Sequence, residues 1–295
     1  MKKRGSRRLF VFGMGYVATA MATALKEEGW HVAGTCRSEI RRTALEALGF
    51  DASIFNGSKP TNSIERQIGA SDYILCSIPP DEDGDPALAC YEDQICEANQ
   101  IRWIGYLSTT GVYGDWGGME VDEKSPLRPK SDRARQRVTA ERAWLSLCQH
   151  AGHPVHLFRL AGIYGPSRSV IDRVQAGTAK RIDKAGHLFS RIHVDDIVST
   201  LRASIASPRS GAIYNVCDNE PASQADVVAH ACSLLNIPPP ELIPFEKAAP
   251  GMSELAHTFW ADNRRVSNRL LHGELGVILS YPTYREGLAA LARDA

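Results

Sequence analysis

Residues 9–18 read Leu-Phe-Val-Phe-Gly-Met-Gly-Tyr-Val-Ala, and this stretch constrains the fold more than any other. An apolar run, Leu9 to Phe12, leads into Gly13-Met14-Gly15-Tyr16-Val17-Ala18, and a segment of helical composition, Ala18 to Glu28, follows. Strand, glycine turn and helix is the setting in which G-x-G-x-x-G/A holds a dinucleotide. Gly13 permits the tight turn, Gly15 lets the backbone approach a pyrophosphate, and Ala18 keeps helix and strand close. The first helical amides, those of Tyr16 and Val17, then point at the anion. Such a turn also serves as a plain strand-to-helix connection; here its setting favours the nucleotide.

The chain has 295 residues, 43% of them hydrophobic, enough for one large domain or two smaller ones. Its 34 basic and 34 acidic side chains cancel, so no global field draws it to nucleic acid or to an anionic membrane. The basic start, Met1 to Arg8, resembles a signal-peptide n-region, but only about five apolar residues separate it from Gly13. A solvated tail is the better reading. No apolar run approaches the roughly 20 residues of a membrane span. The 7 cysteines are scattered without a C-x-x-C pair, which points to a reducing compartment and a cytoplasmic protein. His150, His153 and His156 straddle a helix end, a breaker and a new strand, with no carboxylate or thiolate cluster to join them. No metal is expected.

Strand and helix signals alternate through the first half. Arg8 to Phe12 and His31 to Cys36 read as strands around a helix at 16–29, and Ser38 is a plausible N-cap for a helix to about Gly49. Ala52 to Phe55, Tyr73 to Ile78, Ile101 to Ser108 and Val155 to Leu160 supply further strands, with helical stretches between them. This alternation predicts an α/β fold with a parallel sheet covered on both faces. Later segments suggest a short helix near 168–176, a helix over 194–206, a strand over 212–216 and a helix from Ala222 to Leu235. The expected division is a nucleotide domain at 1–162 and 193–217, with a smaller lobe from 163–192 and 218–295.

Four further motifs occur in order: Leu107-Ser108-Thr109-Thr110-Gly111-Val112-Tyr113-Gly114, Phe158-Arg159-Leu160-Ala161-Gly162-Ile163-Tyr164-Gly165-Pro166, Arg191-Ile192-His193-Val194-Asp195-Asp196-Ile197, and Ile213-Tyr214-Asn215-Val216-Cys217-Asp218. With the glycine turn, they resemble the extended short-chain dehydrogenase/reductases, the NAD(P)-dependent epimerase/dehydratase superfamily. The tail, with Ser267-Asn268-Arg269-Leu270 and Tyr281-Pro282-Thr283-Tyr284-Arg285-Glu286-Gly287-Leu288, is similar to an atypical bacterial subgroup of it. The resemblance implies a Rossmann-type, doubly wound sheet with a smaller C-terminal substrate lobe. It implies that Thr109 hydrogen-bonds a substrate oxygen, although Thr109 could equally cap a strand end.

Members of this superfamily usually carry Tyr-x-x-x-Lys some 24 to 26 residues after that threonine, as the proton relay for hydride transfer. Here the stretch is Arg133-Ala134-Arg135-Gln136-Arg137, so Arg133 stands for the tyrosine and Arg137 for the lysine. A guanidinium with a pKa above about 12 exchanges no proton near neutral pH, whereas Arg137 could still bind a ribose or a phosphate. A proton donor would have to come from Tyr113, Tyr164 or Tyr106.

An NAD site usually places a carboxylate about 20 residues beyond the glycines, on the ribose 2′-OH. Here Thr35-Cys36-Arg37-Ser38 offers none before Glu39, while Arg37, Arg41 and Arg42 suit a 2′-phosphate; the expected cofactor is NADP rather than NAD. Ser77-Ile78-Pro79-Pro80 either walls the nucleotide or simply ends its strand. Asp195 or Asp196 is placed to cap a helix. Arg159, Tyr164 and Arg191 are the substrate candidates, the two arginines suiting an anion. The leading expectation is an oxidoreductase or epimerase acting on a small, phosphorylated or nucleotide-sugar-like molecule; the alternative is a non-catalytic NADP(H) sensor. Val138, Trp144, Leu145 and Cys148 could face the sheet or a second subunit, which leaves a homodimer open.

Overall fold

The computed structural model describes residues 7–293. The expected basic tail falls mostly outside the described residues. The strands in chain order are β1 (Arg8–Phe12), β2 (His31–Cys36), β3 (Asp51–Ile54), β4 (Tyr73–Cys76), β5 (Trp103–Thr109), β6 (Glu120–Val121) and β7 (Val155–Leu160). There follow β8 (Gly162–Tyr164), β9 (Arg181–Asp183), β10 (Arg191–His193), β11 (Ala212–Val216), β12 (Leu242–Pro244) and β13 (Arg265–Val266). The helices are α1 (Tyr16–Glu27), α2 (Glu39–Ala47), α3 (Asn62–Gly69), α4 (Pro86–Glu97), α5 (Asp132–Ala151) and α6 (Val170–Gln175). The rest are α7 (Val194–Ala206), α8 (Gln224–Leu234), α9 (Phe245–Ala248), α10 (Glu254–Ala261), α11 (Arg269–Gly273) and α12 (Tyr284–Arg293).

The chain forms two compact units. The first comprises the chain up to Ser108 with Arg135–Arg159 and Leu201–Tyr214. It carries a seven-stranded parallel sheet in the order β11-β7-β5-β4-β1-β2-β3. The order reverses beside β1, which pairs with β2 on one side and β4 on the other. Open α/β sheets bind ligands at such a switch point. Both faces of β1 are apolar and Leu9 to Phe12 are buried, as a central parallel strand requires. Ala18 is fully buried, which lets α1 lie close on the sheet. On α5, Trp144 belongs to the core under this sheet and Leu145 packs against it.

The second unit comprises Thr109–Ala134, Leu160–Thr200 and the chain from Asn215. Three two-stranded parallel sheets, β8 with β10, β9 with β12 and β6 with β13, give it its frame. Its core joins α6, α8 and α12 through Ile171, Val228, Ala231, Tyr284 and Leu288. Neither these short pairings nor α9 and α10 stand out in the sequence. Strands of two or three residues carry too few positions for a period to register. No described helix is long and apolar enough to cross a membrane.

One buried histidine links the first unit's stability to pH. His156 of β7 is fully buried; its Nε2 accepts the Arg209 N–H (2.6 Å), so its Nδ1–H faces Ser204 Oγ (2.7 Å), which also accepts Trp103 Nε1–H (2.8 Å). Burial, aided by the Arg209 charge, pushes its pKa down to about 4. Between pH 4 and about 6.5 the unfolded chain therefore binds more protons than the folded one, so stability falls as pH falls through that window. The full effect is at most roughly 3 kcal/mol. Denaturant titrations from pH 7 to pH 4 are expected to lose stability less steeply in His156→Gln than in the parent. Equal slopes would remove His156 from this account.

Candidate cofactor and substrate sites

Gly13 has φ of +83°, and a side chain there would put its Cβ 2.8 Å from Ile78 Cγ1. Only glycine meets both demands. The turn is pinned from both neighbouring strands. Thr35 at the end of β2 accepts the Gly13 N–H on Oγ1 (2.9 Å) and the Met14 N–H on its carbonyl (2.7 Å). Ser77, just past β4, donates its hydroxyl to the Gly13 carbonyl. Two predicted cofactor residues, Thr35 and Ser77, are thus engaged in shaping the turn. Pro79 is exposed beyond it, while Ile78 packs on the core.

Gly15 is the N-cap of α1, in an extended conformation, and no side chain caps the helix. Its own N–H turns back to the Gly13 carbonyl (2.8 Å). A Cβ added at Gly15 would meet nothing within 4 Å beyond its chain neighbours, so there is room beside the backbone at this one position. No acidic residue sits in that turn. A helix start with no side-chain cap, no carboxylate in its first turn and no crowding at Gly15 suits a diphosphate, and a dinucleotide fits this unit on those grounds.

At the end of β2, Arg37 is exposed. Glu39, the first carboxylate after that strand, pairs with Arg42 (2.7 Å). Arg137 on α5 donates from Nη1 to Tyr106 Oη and to the Leu107 carbonyl, both at 2.9 Å. The Tyr106 ring stacks on Trp144, and burial pushes its hydroxyl well above the usual tyrosine range. Trp144 in turn donates to the buried Asp85, whose other oxygen caps α4 at Ala87 and Leu88. Asp85 went unpredicted, although Asp-Pro before an apolar run is a helix-start signal.

Arg159, a substrate candidate, is almost fully buried and paired with Glu141 through Nη2–Oε2 (2.7 Å) and Nε–Oε1 (3.1 Å). Ser108 donates to the same carboxylate (2.5 Å). The pair ties β7 to α5 beneath the sheet.

In the second unit, Thr109 is half-buried and caps the 3₁₀ turn Thr110–Tyr113, its Oγ1 accepting the Gly111 N–H (3.1 Å). Tyr113 is fully buried and donates to Asn215 Oδ1 (2.7 Å). Asn215 also donates its side-chain amide to the Ser267 carbonyl and its backbone N–H to Glu123. It is a junction that sequence reading missed.

Arg191 donates from Nη1 to the carbonyls of Phe189 (2.8 Å) and Ala222 (3.0 Å). Burial brings its pKa down to about 10 and raises that of nearby Asp218 to about 7. Tyr164 is buried with its hydroxyl unpartnered, and burial, then the Asp218 charge, pushes its pKa up. The Tyr164 ring meets His193 edge-on at 5.1 Å. His193 Nδ1 accepts the Asp195 N–H (3.2 Å). Asp196 accepts the N–H groups of Ser280 (2.7 Å) and Tyr281 (3.1 Å), so it anchors the tail rather than capping α7. Among the described residues, no His/Cys/Asp/Glu group is arranged to hold a metal.

The geometry brings Thr35, Ser77, Gly13 and Gly15 together at one turn and joins Tyr164, Arg191 and Asp218 in one buried cluster. It commits Arg159 and Tyr113 to partners of their own.

The profile of the NAD dependent epimerase/dehydratase family matches residues 94–217. A solved structure of a functionally unknown conserved protein from Silicibacter pomeroyi DSS is 44% identical, with a TM-score of 0.88 over 98% of this chain and 99% of that one. The chain carries a domain of the NAD dependent epimerase/dehydratase family. The Escherichia coli (strain K12) protein YeeZ is 25% identical over 244 residues, 80% of this chain and 86% of that protein. The fold also matches dTDP-glucose 4,6-dehydratase from Bacillus anthracis str. Ames, solved with NAD, at a TM-score of 0.78. Identity there is 17%, over 98% of this chain and 96% of that one. Three of the later motifs and part of the fourth, together with Arg133 and Arg137, lie within the matched residues.

Glu141 is the carboxylate that balances the buried Arg159 charge, and neutralising it weakens that compensation where burial makes it matter. Glu141→Gln is expected to cost about 3–5 kcal/mol in urea unfolding, with part recovered in a Glu141→Gln, Arg159→Met double variant. A loss under about 1 kcal/mol would contradict that burial.

Proposed function

We propose that this protein binds NADP(H) and works as an oxidoreductase or epimerase on a small anionic molecule, phosphorylated or nucleotide-sugar-like. The observation that carries the reading is the start of α1 at Gly15, uncapped by any side chain and uncrowded at the Gly15 Cβ position, with arginines following the neighbouring strand. A bound nicotinamide would supply or accept hydride. The chain's own residues divide the remaining tasks. Amides of the first turn of α1 take the diphosphate, and the arginines after β2 take a 2′-phosphate. Thr109 offers its hydroxyl to a substrate oxygen, and Arg191 offers a desolvated positive charge to an anion.

The usual tyrosine relay has no counterpart at positions 133 and 137. Arg133 is exposed, and neither guanidinium exchanges protons near neutral pH. Tyr106 and Tyr164 have their hydroxyls held protonated by burial, and Tyr113 is bonded to Asn215. That burial of all three favours a second reading, in which the protein senses NADP(H) without turnover.

A substrate panel followed by NADPH oxidation separates the two. Turnover abolished by Thr109→Ala supports the enzyme; tight NADP(H) binding with no turnover on any substrate supports the sensor. Gly15→Val fills the space before the first turn and is expected to weaken NADP⁺ binding at least about tenfold by calorimetry. Unchanged affinity would contradict the site.

A further inference from the structure

Three arginines follow β2, and each is engaged differently. Arg42 lies between Glu39 (2.7 Å) and Glu46 (3.8 Å) on the surface of α2. Its charge is neutralised along its own helix. Arg37 is exposed in the bend before α2. Arg41 follows the N-cap Ser38, whose hydroxyl accepts the Arg41 N–H (3.3 Å). Its guanidinium reaches back to the glycine turn. Nη2 donates to Thr19 Oγ1 (2.8 Å) and the Met14 carbonyl (3.2 Å), and Nε donates to the same carbonyl (3.4 Å). Thr19 sits one helical turn beyond Gly15, with its N–H on the Gly15 carbonyl (2.9 Å) and its hydroxyl donating to the Met14 carbonyl (3.3 Å). Of the five guanidinium N–H donors, the Nη1 pair keeps no acceptor among the described residues.

We propose that Arg41, tethered by Thr19 and the Met14 carbonyl, is the residue that selects a dinucleotide carrying a 2′-phosphate, with Thr19 as its positioning residue. This rests on the NADP(H) reading above and deepens it. A tethered guanidinium has already lost the rotamer freedom that a loose arginine would lose on binding, so its Nη1 pair meets a phosphate at lower entropic penalty. The tether also fixes that charge to the turn whose helix start takes the diphosphate. A ribose 2′-OH gains nothing comparable, because Arg41 offers no acceptor and Glu39 faces Arg42.

Calorimetric titration of the full chain with NADP⁺ and with NAD⁺ tests this. Thr19→Val, nearly the same shape, is expected to lower the NADP⁺/NAD⁺ affinity ratio about fivefold, and Thr19→Ser to restore it within about twofold. Arg41→Ala is expected to lower the ratio at least about tenfold. A preference retained in Thr19→Val and Arg41→Ala but lost in Arg37→Ala would overturn the assignment while leaving NADP(H) binding intact. A parent protein that binds both nucleotides equally, or neither, would remove the underlying reading and this inference with it.

Discussion

A helix that begins without a side-chain cap leaves backbone donors needing an acceptor, and α1 begins that way at Gly15. The local structure works to keep it so. β1 is buried at the sheet's reversal point; Thr35 and Ser77, from the two flanking strands, hold the Gly13 turn in a conformation closed to other residues. Arg41 and Thr19 brace the Met14 carbonyl from the far side. The result is a fixed patch of oriented N–H dipoles at an uncapped helix start, which is the electrostatic complement of a diphosphate.

Arg133 and Arg137 sit differently: the first is exposed, the second is hydrogen-bonded inside the first unit. Arg137 is engaged within the first unit, on the Tyr106 hydroxyl and on the Leu107 carbonyl of β5. The phenol it binds is buried and hard to ionise. Position 137 is therefore part of the support beneath the sheet, alongside Ser108, Glu141 and Arg159.

Much of this was legible in the amino-acid sequence. The Rossmann-type sheet announced itself through Leu9–Phe12, Tyr73–Cys76 and Val155–Leu160, because strands buried on both faces read as continuous apolar runs. The glycine turn was equally plain, since its residue types are dictated by backbone conformation rather than by distant partners. Partnership was harder to read. Arg159 looked like a ligand for an anion and Asp196 like a helix cap, but their partners, Glu141 and the Ser280–Tyr281 backbone, lie 18 and 84 or 85 positions away. Asn215 lies in a quoted motif but was given no role, and Thr19 stood in no motif; both are polar residues whose partners are set only by the folded chain. Asp85 did carry one, in the proline that follows it.

The central claim is that main-chain amides at the start of α1 receive the nucleotide's diphosphate. The most direct measurement is a crystal structure determined after growth with saturating NADP⁺. The account predicts both phosphorus atoms beside the first turn, Tyr16 to Ala18, with oxygens at hydrogen-bonding distance from its N–H groups. A diphosphate bound elsewhere, or none bound at saturation, would contradict it.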